Sequence, residues 1–484
     1  MPSVKRNILL NGINTVTSIL FPMVTFPYAA RVLLPEGIGA VNFLLSIVNY
    51  VILLTSLGIP LYAVKEIAKY RDEVSQRDKV AVEIILLSFV LCFCGYFIIW
   101  ILGKFVPQIH QQLSLFYILS LSLFFNTIGV EWFYKGIEDF KFITFRAVII
   151  RTLSAVCLFI FVKNVGDILI YGIITVGATV GNNIINFVHL RKYLNLRSVN
   201  VASLKVLQHL KPSLHVFLLN LIISLYVHLN SVMLGFIKGE DSVGYFTAGT
   251  KISHIGLVLI SSIGTVMLPR CSNMIQKGDF EGFNNLIYKS IRLTILLSFP
   301  IIVGLIVLAT PITIIFCGND YIASIPVLYL NAPVILLIGL TNVMGIQILY
   351  PKNKLNIVIW SVTGGAIINI ILNIILIPLF SATGAAISTL VAEAVVFLIQ
   401  AFYGRKYYPF KWTNIIWIRY LIGSLVMGGV IFLLCVVIQN MWIQIIMSFF
   451  VGILVYILIL YGIKDDMIRG ILNYIIKLKR RNEI

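Results

Sequence analysis

The sequence predicts an all-α polytopic membrane protein: about fourteen transmembrane helices, two pseudo-symmetric six-helix lobes plus two C-terminal helices, and both termini cytoplasmic. Three observations predict it. Fourteen strongly apolar stretches run the length of the chain, basic residues fall in every second gap, and a polar pattern recurs at an offset of 205 residues.

In order, the stretches are 8–29, 39–64, 81–103, 112–132, 142–162, 167–190, 213–236, 244–268, 288–309, 324–348, 355–379, 382–403, 415–438 and 441–462. Each is near the ~20 residues that span a bilayer's hydrocarbon as a helix. With the N-terminus inside, the cytoplasmic side receives 29 of the 37 Lys and Arg residues, counting Lys289 and Arg292 at the start of the ninth stretch, and the opposite side receives only Arg31, Lys104, Lys163 and Lys238. Positive residues are retained on the cytoplasmic side, so the number of crossings is even. The first stretch follows Lys5 and Arg6 as a signal peptide's would, but it is long and lacks a small-residue cleavage site, so it reads as retained.

Composition narrows the class. With 59% hydrophobic and 12% charged residues and a mean hydropathy of +0.99, the chain does not fit a soluble domain. Its net charge of +18 follows from the inside-positive bias and calls for no nucleic acid. The six cysteines lie mostly within the apolar stretches, where they pack as small apolar residues. No motif calls for a metal or cofactor, and no Gly-rich phosphate loop of the Walker type is present. The longest gap, 191–212, is too short for a soluble domain of ~50 residues or more.

The repeat sets the domain order. Ile38-Gly39-Ala40-Val41-Asn42-Phe43 opens the second stretch as Val243-Gly244-Tyr245-Phe246-Thr247-Ala248 opens the eighth. Descending from these, Asn42, Ser46, Asn49 and Ser56 match Thr247, Lys251, His254 and Ser261, each set on one helical face. Asn14 and Ser18 likewise match Asn220 and Ser224, and the sixth and twelfth stretches both exit into Arg-Lys-Tyr. Helices six apart share an orientation, so the lobes are parallel repeats. The predicted division is a first lobe (1–190), a cytoplasmic linker (191–212), a second lobe (213–403), the added pair (404–462) and a basic cytoplasmic tail (463–484) along the anionic inner leaflet.

Charges within the stretches point to a site. Arg151 lies roughly 15 Å deep and Lys251 roughly 12 Å deep at 1.5 Å per residue, one in each lobe. An ionised group at such depth faces a hydrated cavity or a partner, because burial in lipid costs ~2.5–3.5 kcal/mol on the most lenient scale. Arg146, nearer the rim, is also placed to snorkel. Glu393 is read either as a structural partner of Arg151 or Lys251 or as an ion-coupling group. The candidate substrate-binding set is Arg31, Asn42, Ser46, Asn49, Arg146, Arg151, Thr247, Lys251 and His254, a basic and amide-rich lining that favours an anionic substrate.

Several stretches carry a resemblance. They are Phe26-Pro27-Tyr28-Ala29-Ala30-Arg31-Val32-Leu33-Leu34-Pro35-Glu36-Gly37-Ile38-Gly39 with Leu57-Gly58-Ile59-Pro60, and Glu131-Trp132-Phe133-Tyr134-Lys135-Gly136-Ile137-Glu138. Val243 to Phe246, Asn369, Asn373, Ile377-Pro378, Gly384-Ala385-Ala386 and Glu393 follow in the same order. Together they resemble the polysaccharide-transport family, the O-antigen or lipid-linked oligosaccharide repeat-unit flippases of the multidrug/oligosaccharidyl-lipid/polysaccharide exporter superfamily. The resemblance implies two lobes around a central cavity, alternating access, and a bacterial inner-membrane location. It also implies an undecaprenyl-pyrophosphate-linked oligosaccharide as substrate, delivered from the inner to the outer leaflet among membrane lipids. Polysaccharide polymerase and chain-length machinery are the further partners it brings into view. Within the superfamily, a peptidoglycan-precursor flippase and a multidrug antiporter are the alternatives. A membrane polymerase or glycosyltransferase would need a long extracytoplasmic loop or a catalytic carboxylate pair, and the extracytoplasmic gaps are short, with only Asp320 in the longest. The chain is therefore read as a transporter and not an enzyme.

Overall fold

A computed structural model describes residues 4–195, 199–408 and 416–470. Arg197, Lys411 and most of the basic tail lie outside the described residues, as do the side chains of Asn220 and Ser224. No strand occurs among the described residues. Two units are distinguished by their internal packing, Met1–Thr247 and Ala248–Ile484.

The first unit opens with α1 (Val4–Ser56), a 53-residue run interrupted at Leu34 (φ 60°, ψ 176°). The residue before a proline is disfavoured in the α region, and Pro35 follows, so the break is encoded locally. The helix ends where Leu57 and Gly58 turn left-handed. A short α2 (Ile59–Lys69) then starts on Pro60. The stretch 39–64 is therefore two helices: Gly58 tolerates positive φ and Pro60 suits a first helical turn. Next come α3 (Val74–Phe105), a single turn α4 (Pro107–His110), α5 (Leu113–Ile128) and a short α6 (Glu131–Gly136). The unit continues with α7 (Phe140–Phe161), capped by Asp139, and α8 (Ile168–Leu190), followed by α9 (Leu210–Lys238) and the first turns of α10 (Glu240–Gln276). Helix α9 packs along α1 and α2, which places the unit border well beyond the linker 191–212.

In the second unit the rest of α10 is followed by α11 (Phe280–Val307) and α12 (Ala309–Cys317). The stretch 324–348 is not one straight helix. It comprises α13 (Ile325–Asn331), α14 (Val334–Thr341) and a π-helical segment, Asn342–Leu349, with Pro333 at the bend. Helix α15 (Leu355–Gly404) runs 50 residues with a break at Ser381 (φ 52°, ψ −131°). There the chain reverses: a Cβ on Gly384 would stand 3.0 Å from the Ile377 nitrogen, whereas a straight helix separates residues seven apart by ~10 Å. Finally α16 (Ile416–Val437) and α17 (Met441–Gly462) pack on α11 through Leu296, Tyr420, Met427, Tyr456 and Leu460.

Ten helices among the described residues are long and apolar enough to cross a membrane, or eleven counting the bent pair Asn319–Asn331 and Val334–Leu349. Many of their large apolar side chains, Phe93, Phe145, Trp360 and Phe450 among them, are exposed. Lipid covers such surfaces in a membrane protein. Buried small residues occupy close approaches, as where a Cβ on Gly235 of α9 would run into the Phe43 ring of α1.

Candidate functional site

In the first unit the polar groups gather around α7. Arg146 is 4% exposed, and its guanidinium donates to the Asn182 carbonyl at 3.2 Å and to Glu131 Oε2 at 3.4 Å. Glu131 also holds Lys135 Nζ at 2.8 Å, one turn along α6. One carboxylate thus serves two cations. Five residues on, at the middle of α7, Arg151 is half-buried and differently solvated. Its Nη1 donates to the Asn14 carbonyl at 3.1 Å, to Asn14 Oδ1 at 3.0 Å and to Thr17 Oγ1 at 2.9 Å, all on α1. Thr144 Oγ1 donates to the Leu10 carbonyl at 3.0 Å, stitching the same helix pair. Three neutral oxygens orient the guanidinium; Glu131 acts on it through space, but that one carboxylate is shared with Lys135 and Arg146, so positive charge is in excess here, an arrangement that attracts an anion.

Beside this cluster a cavity of about 370 Å³ opens between α1, α2, α3, α5, α6 and α8. Glu131, Trp132 and Lys135 line one part of it, and Ser88, Asn126, Thr127 and Asn183 another. The Ser88 and Thr127 hydroxyls donate to carbonyls of their own helices, so the lone pairs of their oxygens are what they offer the cavity. Asn183 Nδ2 donates to Asn126 Oδ1 at 3.4 Å.

The predicted stripe of α1 is only partly open. Asn42 Nδ2 donates to the Ile38 carbonyl and Ser46 Oγ to the Asn42 carbonyl, both at 2.7 Å, so both side chains fold onto their own helix. Ser46 is buried, Asn42 and Asn49 are half-buried and Arg31 is exposed. Along α10, Thr247 is buried, Lys251 half-buried and His254 exposed on the next turn. Further down that helix the Ser261 hydroxyl accepts from Asn342 Nδ2 at 3.3 Å. Glu393 is buried at 7% exposure on α15. The structure therefore groups Arg146, Arg151 and Glu131, and separately places Lys251 a turn from His254.

Several residues escaped sequence reasoning. Thr17, Lys135, Asn126 and Asn183 all build the first-unit site; the two asparagines, polar residues inside apolar stretches, were the available signal. In the second unit Gln347 is fully buried with neither end of its amide hydrogen-bonded, and it lies in the π-helical segment, a type of distortion frequent at functional sites.

Long apolar helices carrying intramembrane arginines define a multi-pass membrane transporter architecture. The fold resembles that of "Lipid II flippase MurJ, inward closed conformation" with a TM-score of 0.75 at 18% identity, over 95% of this chain and 100% of that one. It also resembles an inward-facing multidrug resistance MATE family transporter of the MOP superfamily, with a TM-score of 0.66 at 15% identity over 83% and 97% of the two chains. The chain belongs to the Polysaccharide biosynthesis protein family, whose sequence profile matches residues 4–275. The MatE profile matches residues 216–375. Among curated relatives, the "Putative O-antigen transporter" of Escherichia coli (strain K12) is 28% identical over 404 residues, covering 84% of this chain and 97% of that protein.

Proposed function

We propose that this protein is a flippase that moves an undecaprenyl-pyrophosphate-linked oligosaccharide from the inner to the outer leaflet of the bacterial plasma membrane by alternating access. The observation that carries the reading is Arg151: a mid-helix cation hydrogen-bonded to neutral oxygens, in a cluster whose one carboxylate, Glu131, is shared with Lys135 and Arg146, in a family of polysaccharide biosynthesis. A pyrophosphate and sugars do not cross hydrocarbon unaided. Arg151 in the first lobe and Lys251 in the second attract the phosphates. Asn42, Ser46, Asn49 and Thr247, with Arg31 and His254, are the candidate partners of sugar hydroxyls, Asn42 Nδ2 and the Ser46 hydroxyl having first to release carbonyls of their own helix, and Arg146 holds Glu131 in place in the first lobe. Glu393 is the candidate for ion coupling. The near-complete coverage of the Escherichia coli relative supports the cargo class.

The test is flipping of a labelled undecaprenyl-pyrophosphate oligosaccharide in proteoliposomes by the wild type, Arg151→Ala, Lys251→Ala and the double variant. A fall of at least tenfold in each single variant, with thermal stability retained, is expected. Unchanged flipping in the double variant would sink the basic-site reading. Faster flipping of a peptidoglycan precursor than of the oligosaccharide donor would reassign the cargo.

A further inference from the structure

The two copies of the internal repeat meet. A Cβ placed on Gly39 of α1 would run into the Glu240 carbonyl and stand 2.9 Å from the Gly244 nitrogen. One placed on Gly244 of α10 would run into the Pro35 carbonyl and stand 2.8 Å from the Pro35 Cα. The contact is reciprocal, because the repeat offset of 205 converts Pro35 into position 240 and Gly39 into position 244. The same offset converts Leu34 into Gly239, and these two share an unusual backbone: φ 60°, ψ 176° at Leu34 and φ 86°, ψ −177° at Gly239. Each copy is thus a left-handed hinge residue followed, five positions on, by a glycine pressed against the main chain of the other copy. Ile38, Ala40 and Val243 around it are fully buried.

Such a joint suits repeated opening. The carbonyls of Pro35 and Glu240 have the amides of Gly39 and Gly244 as their helical partners, four residues on. Separating the helices therefore leaves no backbone group unsatisfied. What is lost is close van der Waals contact between main chains, the kind of packing that small residues give within membranes.

We propose that the Gly39–Gly244 crossing is a main-chain joint that seals the extracytoplasmic side and parts when cargo leaves, the residues Leu34 and Gly239 serving as its paired hinges. The assignment of the side and of the cargo rests on the flippase reading; the joint itself rests on the reciprocal contact.

Two measurements test it in protein whose six native cysteines are replaced by serine. First, Asn42→Cys, one turn inside the joint, is labelled on intact cells with a membrane-impermeant maleimide, alone and combined with Gly39→Ala, Gly244→Ala or both. A methyl at either glycine props the same joint, so each should speed labelling several-fold and the pair should add nothing to either single change. Second, Glu36 and Glu240, whose carboxylates repel one another, are both replaced by cysteine and oxidised to a disulfide. The disulfide should stop flipping of the labelled lipid-linked oligosaccharide, and a reductant should restore it. Labelling unaffected by both alanines, or full flipping by the cross-linked protein, would overturn the joint. If the reduced protein does not flip that donor at all, the flippase reading fails, and the labelling series still decides the joint.

Discussion

Two arginines on one helix show how neighbours decide what a buried charge does. Arg146 and Arg151 lie five residues apart, yet Glu131 contacts the first while Asn14 and Thr17 orient the second. Glu131 is 39% exposed, so the contact is weaker than a buried pair, yet with the Asn182 carbonyl it fixes the first arginine in place. The second, hydrogen-bonded to neutral oxygens, keeps more of its field for a ligand. A third arginine makes the first case more sharply. Arg292 on α11 donates to Asp465 Oδ2 at 2.6 Å and to Tyr420 Oη at 2.7 Å, tying the end of α17 back to the unit. Burial pushes the Asp465 carboxyl up, but Arg292, the Ile468 amide and the Tyr420 hydroxyl outweigh it and hold the group below the usual carboxylate range. A carboxylate with a lowered folded pKa stabilises the protein above its unfolded value, ~3.9, and that stability is lost as pH falls through the folded value. Asp465→Asn should therefore lower the melting temperature in detergent at pH 7 by several degrees. Between pH 5 and pH 2 the wild type should lose stability more steeply than the variant; parallel curves would refute the assignment.

At the scale of elements, a connection is built as firmly as a helix pair. Asp78 and Glu83, both fully buried on α3, grip the segment between α8 and α9. Asp78 accepts from Arg77 and from the Asn195 amide at 2.9 Å. Glu83 accepts from the Lys205 amide at 2.7 Å, from Gln208 Nε2 at 2.9 Å and from His209 Nε2 at 2.8 Å. Burial and the nearby Glu66 and Glu83 carboxylates push the Tyr62 phenol up to about 12. It therefore stays protonated and donates to His209 Nδ1 at 2.7 Å, which leaves the proton of a neutral imidazole on Nε2, facing Glu83. Glu83→Ala removes the shared acceptor of three donors, of which His209 is buried, and a buried group left unpaired costs ~1–3 kcal/mol. The expected result is a clearly lower melting temperature and faster proteolysis between residues 191 and 212, with Glu83→Gln intermediate. Unchanged proteolysis in the alanine variant would show that the carboxylate does not pin the linker. None of this was legible in the sequence. Asp78 and Glu83 sit where an apolar stretch meets a charged gap, and a charge there reads as solvated; only the fold brings Asn195, Lys205, Gln208 and His209 over it. The helix breaks were unevenly legible for a similar reason. Pro35 announces the one at Leu34, whereas Ser381 turns with no proline directly after it, and the π-helical segment at 342–349 leaves no mark in hydropathy at all. The long apolar helices themselves were legible because hydrocarbon demands about twenty apolar residues wherever a helix crosses it.

For the whole molecule, length and breaks decide how many times the chain crosses. A 50-residue helix would extend ~75 Å against ~30 Å of hydrocarbon, so α15, reversed at Ser381, accounts for two crossings. The 45-residue span Gly12–Ser56, interrupted at Leu34, accounts for two more on the same length argument. The fourteen crossings expected from the sequence then require the bent pair to count once and the 29-residue α9 once as well, and with that even number the C-terminal tail would return to the side of the N-terminus. The inside-positive rule would make that side cytoplasmic. Single cysteines at Lys104 and Lys163, in a chain freed of its native cysteines, should react with a membrane-impermeant maleimide on intact cells. Cysteines at Lys205 and Lys354 should react only after the cells are opened. Reaction at Lys205 on intact cells would invert the topology, and reaction at Lys104 and Lys354 alike would break the parity. Either result would move Arg151 and Lys251 to different depths from different faces, so the crossing count is a direct constraint on which leaflet the basic site serves first.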